Sequence, residues 1–449
     1  MVMLSSIFCF ISIILFYIAP DSYSFAFNLF CLLFFVFINV YYFAFYSKEK
    51  GVGFEYFFMI SFGMTNFIYP VFYYPDNRYV SLFSYGFNTA VMNKSTALAL
   101  VAYGFYMVGL QLYRKNSNVI IKYNKIEIDP FYPLIFLIFS IASFVGFVGF
   151  GGLDHFKSVY SGDGEWAAVG TFSYFFLLFN FSSILLAMFV FKSRNKIITM
   201  LSVMFLLLSI LMLLFSGSRM TAVGIVLVLL VSYSKNIKSI SLASTSLVVF
   251  VSSIFLYIIM LYRSVFAERP ANGSDIYVNI SNGFSFFDSF MDLIINNRNL
   301  YVLVDFVDSN GSVYFANIFY NLISFLPFSQ SINNMVGVPE YLNGNLASFL
   351  EFGTKGGFGL GTNNVAEAYL SFGIIGVVLF FTLLGYILSL VREKASFSIV
   401  FYIIYFIFIS VSVIYPRGNI LINTRVFVWT LLLFFAVFVL RKLLMRAIR

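Results

Sequence analysis

Residues 197–215 read IITMLSVMFLLLSILMLLF, and residues 216–219 continue SGSR. The long stretch holds no charge and no proline. As a helix rising about 1.5 Å per residue it would be about 29 Å long, close to the thickness of a bilayer's hydrocarbon core, about 30 Å. The sequence therefore predicts a membrane-crossing helix that ends at a charge, Arg219.

Eleven comparable segments surround it. They fall at residues 2–19, 25–45, 54–74, 95–112, 131–148, 174–191, 221–233, 242–261, 366–390, 397–415 and 421–440. The 449-residue chain is 61% hydrophobic and 10% charged, whereas soluble domains carry about 25% charged residues. That excludes a soluble enzyme and a disordered chain. It predicts an all-α, polytopic integral membrane protein of about 12 transmembrane helices. Segment 2–19 lacks a basic leader and a small-residue cleavage site, so it reads as a retained helix rather than a signal peptide.

The positive-inside rule orients the segments. With both termini cytoplasmic, 17 of 27 cationic and 5 of 19 acidic residues lie inside, net +12 against −4 outside. The overall charge of +8 thus reflects topology, and no nucleic-acid partner is expected. Residues 1–449 read as a single transmembrane domain. Within it, residues 263–365 form one large outer loop; structureless loops rarely exceed about 12–15 residues, and longer ones are commonly functional. This loop carries Phe284, Phe287, Met291 and Ile294 on one helical stripe, with Asp288, Asp292 and Asn296 on another. Its apolar run 313–328 is too short to cross. Amphipathic helices on the outer leaflet, or a re-entrant segment, are expected.

Several residues could carry chemistry. Cys9 and Cys31 lie inside apolar segments and read as structural. One histidine excludes a multi-histidine metal site, and the glycines of 353–361 lack the Gly-Lys-Ser/Thr ending of a nucleotide loop, so no metal and no cofactor are expected. Seven of the ten outer cations are arginines, the residue suited to gripping phosphate. Arg78 and Arg298 read as interface anchors. Arg219 differs. Between the cytoplasmic markers Lys196 and Lys235 lie 38 residues, about 57 Å of helix, where two crossings need about 60 Å. Arg219 therefore sits at or just below the outer surface, where it should meet an anion or a polar cavity. Arg263, Arg417 and Arg425 also mark outer helix ends; if these ends converge, they form a cationic pocket for a lipid pyrophosphate. Asn363 or Asn364 can cap the helix that follows the glycines, which puts Glu367 in its first turn, near the outer surface. There it could serve as the base of a glycosyl transfer. Asp154 and His155, in the loop after the fifth segment, are further candidates for proton transfer.

The chain resembles the bacterial O-antigen polymerase family, the Wzy-type oligosaccharide repeat-unit polymerases. The resemblance rests on Ser216-Gly217-Ser218-Arg219 opening a helix in mid-chain, and on Gly359-Leu360-Gly361-Thr362-Asn363-Asn364 leading to Glu367-Ala368-Tyr369. Ser371-Phe372-Gly373-Ile374-Ile375-Gly376 follows, and the large outer loop separates the two motifs. It implies a GT-C-like glycosyltransferase in the bacterial inner membrane, with loop 263–365 periplasmic. Its substrates would be oligosaccharides on undecaprenyl pyrophosphate, its surroundings membrane lipids, and a chain-length regulator a possible partner. Arg219, Arg263, Arg417 and Arg425 would hold pyrophosphate. Glu367, Arg219, His155 and Asp154 would be the catalytic candidates, and Asn363, Asn364 and Tyr369 would face the glycan. Two alternatives stand beside this. An O-antigen ligase usually has a histidine in its large loop, which is absent here. A repeat-unit flippase should show two similar halves and short loops.

Overall fold

The computed structural model describes residues 2–45, 52–77, 80, 83, 85–114, 129–161, 170–193, 195–216, 218–266, 290–326, 329–342, 344–353, 360–421 and 424–447. Every regular element among them is helical, as expected for a chain whose apolar segments must satisfy their own backbone polar groups. The first ten helices are α1 Val2–Tyr17, α2 Phe25–Phe45, α3 Phe54–Ile68, α4 Met92–Arg114, α5 Phe131–Gly149, α6 Gly152–Ser161, α7 Thr171–Phe189, α8 Lys196–Ser216, α9 Arg219–Asn236 and α10 Leu242–Phe266. A single turn, Met291–Ile294, leads into α11 Asn296–Asn310, α12 Ala316–Ile323, α13 Ser329–Val336 and α14 Leu346–Phe352. The chain closes with α15 Asn364–Lys394, α16 Ile399–Val411 and α17 Thr424–Ala447.

Among the described residues, each of the twelve apolar segments overlaps an α-helix. Seven helices among the described residues are long and apolar enough to cross a membrane: Phe25–Phe45, Thr89–Tyr113, Phe131–Gly149, Thr171–Lys192, Lys196–Ser216, Asn364–Lys394 and Thr424–Arg446. Shorter apolar helices lie at Met3–Tyr17, Leu242–Ile254 and Ile399–Val411. The chain is an integral membrane protein of helical type.

α4 and α15 form the central pair, and glycines let them touch. A Cβ on Gly109 would lie 2.1 Å from the Thr382 carbonyl oxygen, and one on Gly385 2.2 Å from that of Tyr106. Lipid supplies little hydrophobic drive between helices, so close backbone contact at small residues holds them instead. Gly224 of α9 plays the same part against the Ser410 carbonyl of α16, at 2.7 Å. α1, α2 and α3 gather around α4, with Phe35, Phe58, Phe62 and Tyr103 interleaved in the core. α5, α7, α8, α9, α16 and α17 pack on one another beside it. A buried pair, Arg392 to Glu55 at 2.5 Å, ties the ends of α15 and α3.

Within segment 263–365, the described residues pack on the bundle. α11 packs against α3, α4 and α15 rather than lying apart from the bundle. Asn296, expected on a polar stripe with Asp292, is fully buried, while Asp292 is exposed. Its amide donates to the Asp292 carbonyl and accepts from Asn299, which meets its polar demands away from water. Ile294 is buried as expected; Phe284, Phe287 and Asp288 lie outside the described residues. Arg298 is not a surface anchor. It is 1% exposed, bonds the carbonyls of Tyr85 (2.7 Å) and Gly86 (3.1 Å), and pairs with Glu351 at 2.5 Å.

Candidate active site

α15 starts sharply. Asn363 caps it by accepting from the backbone N–H groups of Val365 (2.9 Å) and Ala366 (3.4 Å), and donates to Asn66 of α3 at 2.9 Å. After eight residues the helix breaks. Phe372 (φ −143°, ψ 29°) and Gly373 (φ 60°, ψ −146°) leave helical geometry before it resumes. The positive φ at Gly373 explains the glycine. Such a break in an apolar helix is tolerated where protein groups re-satisfy the backbone. Here Leu370 O accepts from Val313 N at 2.9 Å, and Glu367 O accepts from Ser371 Oγ (2.9 Å) and Asn317 Nδ2 (3.1 Å). Every residue of the half-helix 364–371 is buried.

Glu367 lies at its centre with 0% exposure. Thr362 Oγ1 donates to Oε1 at 2.7 Å and Asn317 Nδ2 to Oε2 at 3.0 Å. Ser371 Oγ, 3.0 Å from Asn317 Oδ1, holds that amide in place. The carboxylate makes no ion pair among the described residues, so its support is wholly neutral. Each oxygen of a carboxylate can accept two hydrogen bonds, which leaves one acceptor position per oxygen unfilled.

Amides surround this centre. Asn297 Nδ2 donates to Thr65 O (2.9 Å), and Asn299 Nδ2 to Leu360 O (2.9 Å). Asn321 bonds Asn317 O (2.8 Å) and accepts from Asn419 (2.6 Å). Both polar atoms of Asn364, together with Thr65 Oγ1 and Asn297 Oδ1, are buried without a partner among the described residues. Unmade bonds of this kind are rare in native interiors and invite water or a polar ligand. Tyr369 projects to the other side of the half-helix and donates to Asp308 Oδ1 at 2.9 Å, while Asp308 Oδ2 pairs with Lys94 at 2.6 Å.

The other expected residues are spread over different elements. Arg219 is the first residue of α9, and its Nη1 meets Asp292 Oδ2 at 3.3 Å. Arg425, at the start of α17, donates to Ser324 O at 3.1 and 3.3 Å, beyond the C-terminus of α12. Arg417 stands in a 3-10 turn, Tyr415–Arg417, that packs on α3 and α15; its side chain is half-buried, with no bond among the described residues. These three arginines share no partner. The Arg263 side chain lies outside the described residues, as do residues 354–359. On α6, Asp154 is exposed, and the His155 ring lies 4.6 Å from that of Phe172 on α7. α6 packs on α5, α7 and α8, whereas Glu367 is held by α12 and the Thr362 arm. The site thus gathers Glu367, Asn363, Asn364 and, across the half-helix, Tyr369. Sequence reasoning missed Thr362, Asn317, Asn66 and the buried Asn296-Asn297-Arg298-Asn299 run. A signal existed for the last: four consecutive polar side chains between Ile294-Ile295 and Leu300.

Fold and site together define a multi-pass helical membrane protein with a carboxylate-centred polar site where a long apolar helix breaks. The chain belongs to the family of O-antigen polysaccharide polymerase Wzy, which it matches over residues 1–447. The family polymerises O-antigen repeat units, acting on lipid-linked oligosaccharides in membranes. No curated protein and no solved structure shows a significant match to the chain.

Proposed function

We propose that the protein joins oligosaccharide repeat units carried on undecaprenyl pyrophosphate at the periplasmic face of the bacterial inner membrane. It would do so as a GT-C-like enzyme with twelve crossings and both termini cytoplasmic. The observation that carries this reading is Glu367: a fully buried carboxylate held by neutral donors on a broken helix. An ionisable group taken out of water without an ion-pair partner is costly, and such groups cluster at functional sites. Depth supports the assignment. Gly373 precedes Arg392 by nineteen residues, about 29 Å of helix at 1.5 Å per residue. With Arg392 at the inner edge of a core about 30 Å thick, the break falls at the outer edge. Glu367 then sits at headgroup level, where the sugar–pyrophosphate bond of a lipid-linked substrate lies.

In the proposed reaction, a hydroxyl oxygen of the acceptor unit attacks the anomeric carbon of the growing chain. Its proton passes to Glu367. The carbon–oxygen bond to pyrophosphate breaks, and undecaprenyl pyrophosphate leaves with the electron pair. Arg219, Arg263, Arg417 and Arg425 bear the developing charge, as fixed cations do most effectively when water is excluded. The attacking hydroxyl reaches Glu367 when the half-helix tilts about Phe372 and Gly373, the two non-helical residues available as a hinge.

Deletion of the gene followed by gel analysis of surface polysaccharide tests the reading. A single repeat unit on the anchor is expected. Absence of any repeat unit would point to a ligase or flippase and reject it.

A further inference from the structure

A cavity lies on the far side of the half-helix from Glu367. It is open on one side, holds about 340 Å³ and is lined by Phe16, Tyr17, Asp21, Lys94 and Asp308, with Ala90 and Val91. That volume is at the small end of ligand sites, about 300–1,000 Å³. We infer that this cavity is a saccharide subsite, binding a sugar of the glycan away from the bond being made.

Three features carry the inference. The first is charge. Lys94 is already paired with Asp308 at 2.6 Å, and Asp21 adds a second carboxylate, so the lining is net negative and repels a pyrophosphate. The second is the pairing of aromatic faces with hydrogen-bond acceptors. The exposed ring of Tyr17 stands beside the lining carboxylate of Asp21, a combination that suits a C–H face and a hydroxyl of a sugar; the buried Phe16 backs the Tyr17 ring edge-on, and Asp308 is held by Tyr369 and Lys94. The third is preorganisation. The turn bearing Asp21 is clamped by the buried Asn93, which donates to Pro20 O (2.9 Å) and Ser22 O (2.7 Å) and accepts from Ser24 N (3.2 Å). Asn28 fixes Asn93 in turn, at 2.7 Å. The Asp21 side chain itself makes no bond among the described residues. An exposed carboxylate on a clamped turn that lines a cavity is positioned for a ligand.

The cavity connects to the half-helix of Glu367 through Tyr369, whose hydroxyl bonds Asp308 and whose ring lies 6.2 Å from that of Phe16. Two residues along a helix turn the side chain to roughly the opposite face, about one helix diameter or 10 Å away. The sugar held here is therefore not the one that reacts. The inference rests on the polymerase reading for the source of the saccharide.

The test uses the full chain in lipid nanodiscs. The probes are free oligosaccharide repeat unit, released from the host's own polysaccharide, and inorganic pyrophosphate. Tyr17→Ala and Asp21→Asn alter exposed side chains, so folding is preserved. Each should weaken oligosaccharide binding about tenfold, as expected for loss of a ring face or of a charged hydrogen bond. Pyrophosphate binding should not change. KM for the lipid-linked unit should rise by a similar factor, with kcat within about twofold. Unchanged oligosaccharide affinity in both variants, or loss of pyrophosphate binding instead, would overturn the subsite. Failure of the polymerase reading looks different: the unaltered chain would bind free oligosaccharide, with the same sensitivity to both substitutions, yet form no polymer.

Discussion

Removing Arg219 separates a structural role from a chemical one by size. The side chain is 23% exposed and, among the described residues, makes one ion pair, at 3.3 Å, to an Asp292 that is 56% exposed. Solvent-accessible ion pairs of this kind contribute about 0.2–1 kcal/mol. If that pair were the whole role, Arg219→Ala would cost at most about fivefold in activity through stability. Loss of a donor that stabilises developing charge costs about 10²–10³ in rate. We expect Arg219→Ala to lose at least 10²-fold in polymer formed, at near-normal protein level. Arg219→Lys should recover little, because lysine keeps the charge but not the planar fork. Asp292→Asn provides the control: it removes the ion pair but leaves the cation free for pyrophosphate, so activity should hold or rise. The assay is polymer length and amount from membranes of matched expression. Arg219→Ala within fivefold of the unaltered protein, or Asp292→Asn as damaging as Arg219→Ala, would refute the pyrophosphate role.

Three further outcomes are expected. Gly385→Leu drives side-chain atoms into the Tyr106 carbonyl, where even a Cβ would lie at 2.2 Å; overpacking costs about 1–3 kcal/mol. A thiol-reactive dye reporting exposure of the buried Cys9 and Cys31 should show earlier melting, and an unchanged melt would contradict backbone contact between α4 and α15. The Asp129 carboxyl is held below its usual range, first by the Phe131 N–H and then by Arg441; its stabilising effect is present above the unfolded carboxylate range, about pH 3.9, and is lost as pH falls through the lower folded value. The melting difference between Asp129→Asn and the unaltered chain should therefore be full at neutral pH and close in acid; a difference that grew in acid would reverse that assignment. Reporter fusions at Lys122, Lys238 and Arg392 should read cytoplasmic, and those at Asn77, Ser161 and Asn310 periplasmic; a cytoplasmic signal at Asn310 would remove the large loop from the outer face.

The helices were legible because lipid leaves an apolar segment one way to satisfy its backbone. The Asn363 cap and the first-turn position of Glu367 were legible for a similar reason: capping is local chemistry, written in adjacent residues. The break at Phe372 and Gly373 was not. A glycine inside an apolar run is ordinary in membrane helices, and this break depends on Val313 and Asn317, more than fifty positions away. Distance in sequence also hid the amide network, since Asn66, Asn297 and Asn317 are unremarkable until the fold gathers them. Arg298 read as a surface anchor because its partners, the carbonyls of Tyr85 and Gly86, lie over two hundred residues earlier. For Arg219 the Ser216–Arg219 motif gave the helix start but could not supply Asp292.

The most direct measurement compares the unaltered protein with Glu367→Gln, both purified at full length, on lipid-linked repeat units. Glutamine keeps the shape; its one oxygen can still accept from Asn317 while its amide group donates to the Thr362 hydroxyl, and it cannot take a proton from the attacking hydroxyl. Loss of a general base costs about 10²–10⁴ in rate, whereas a first-turn dipole contact contributes only about 0.3–1 kcal/mol. The unaltered chain should build a polymer ladder, and Glu367→Gln should fall at least 10²-fold while still binding the units. Polymer formation by Glu367→Gln within a few-fold of the unaltered chain would contradict a catalytic carboxylate on the broken helix.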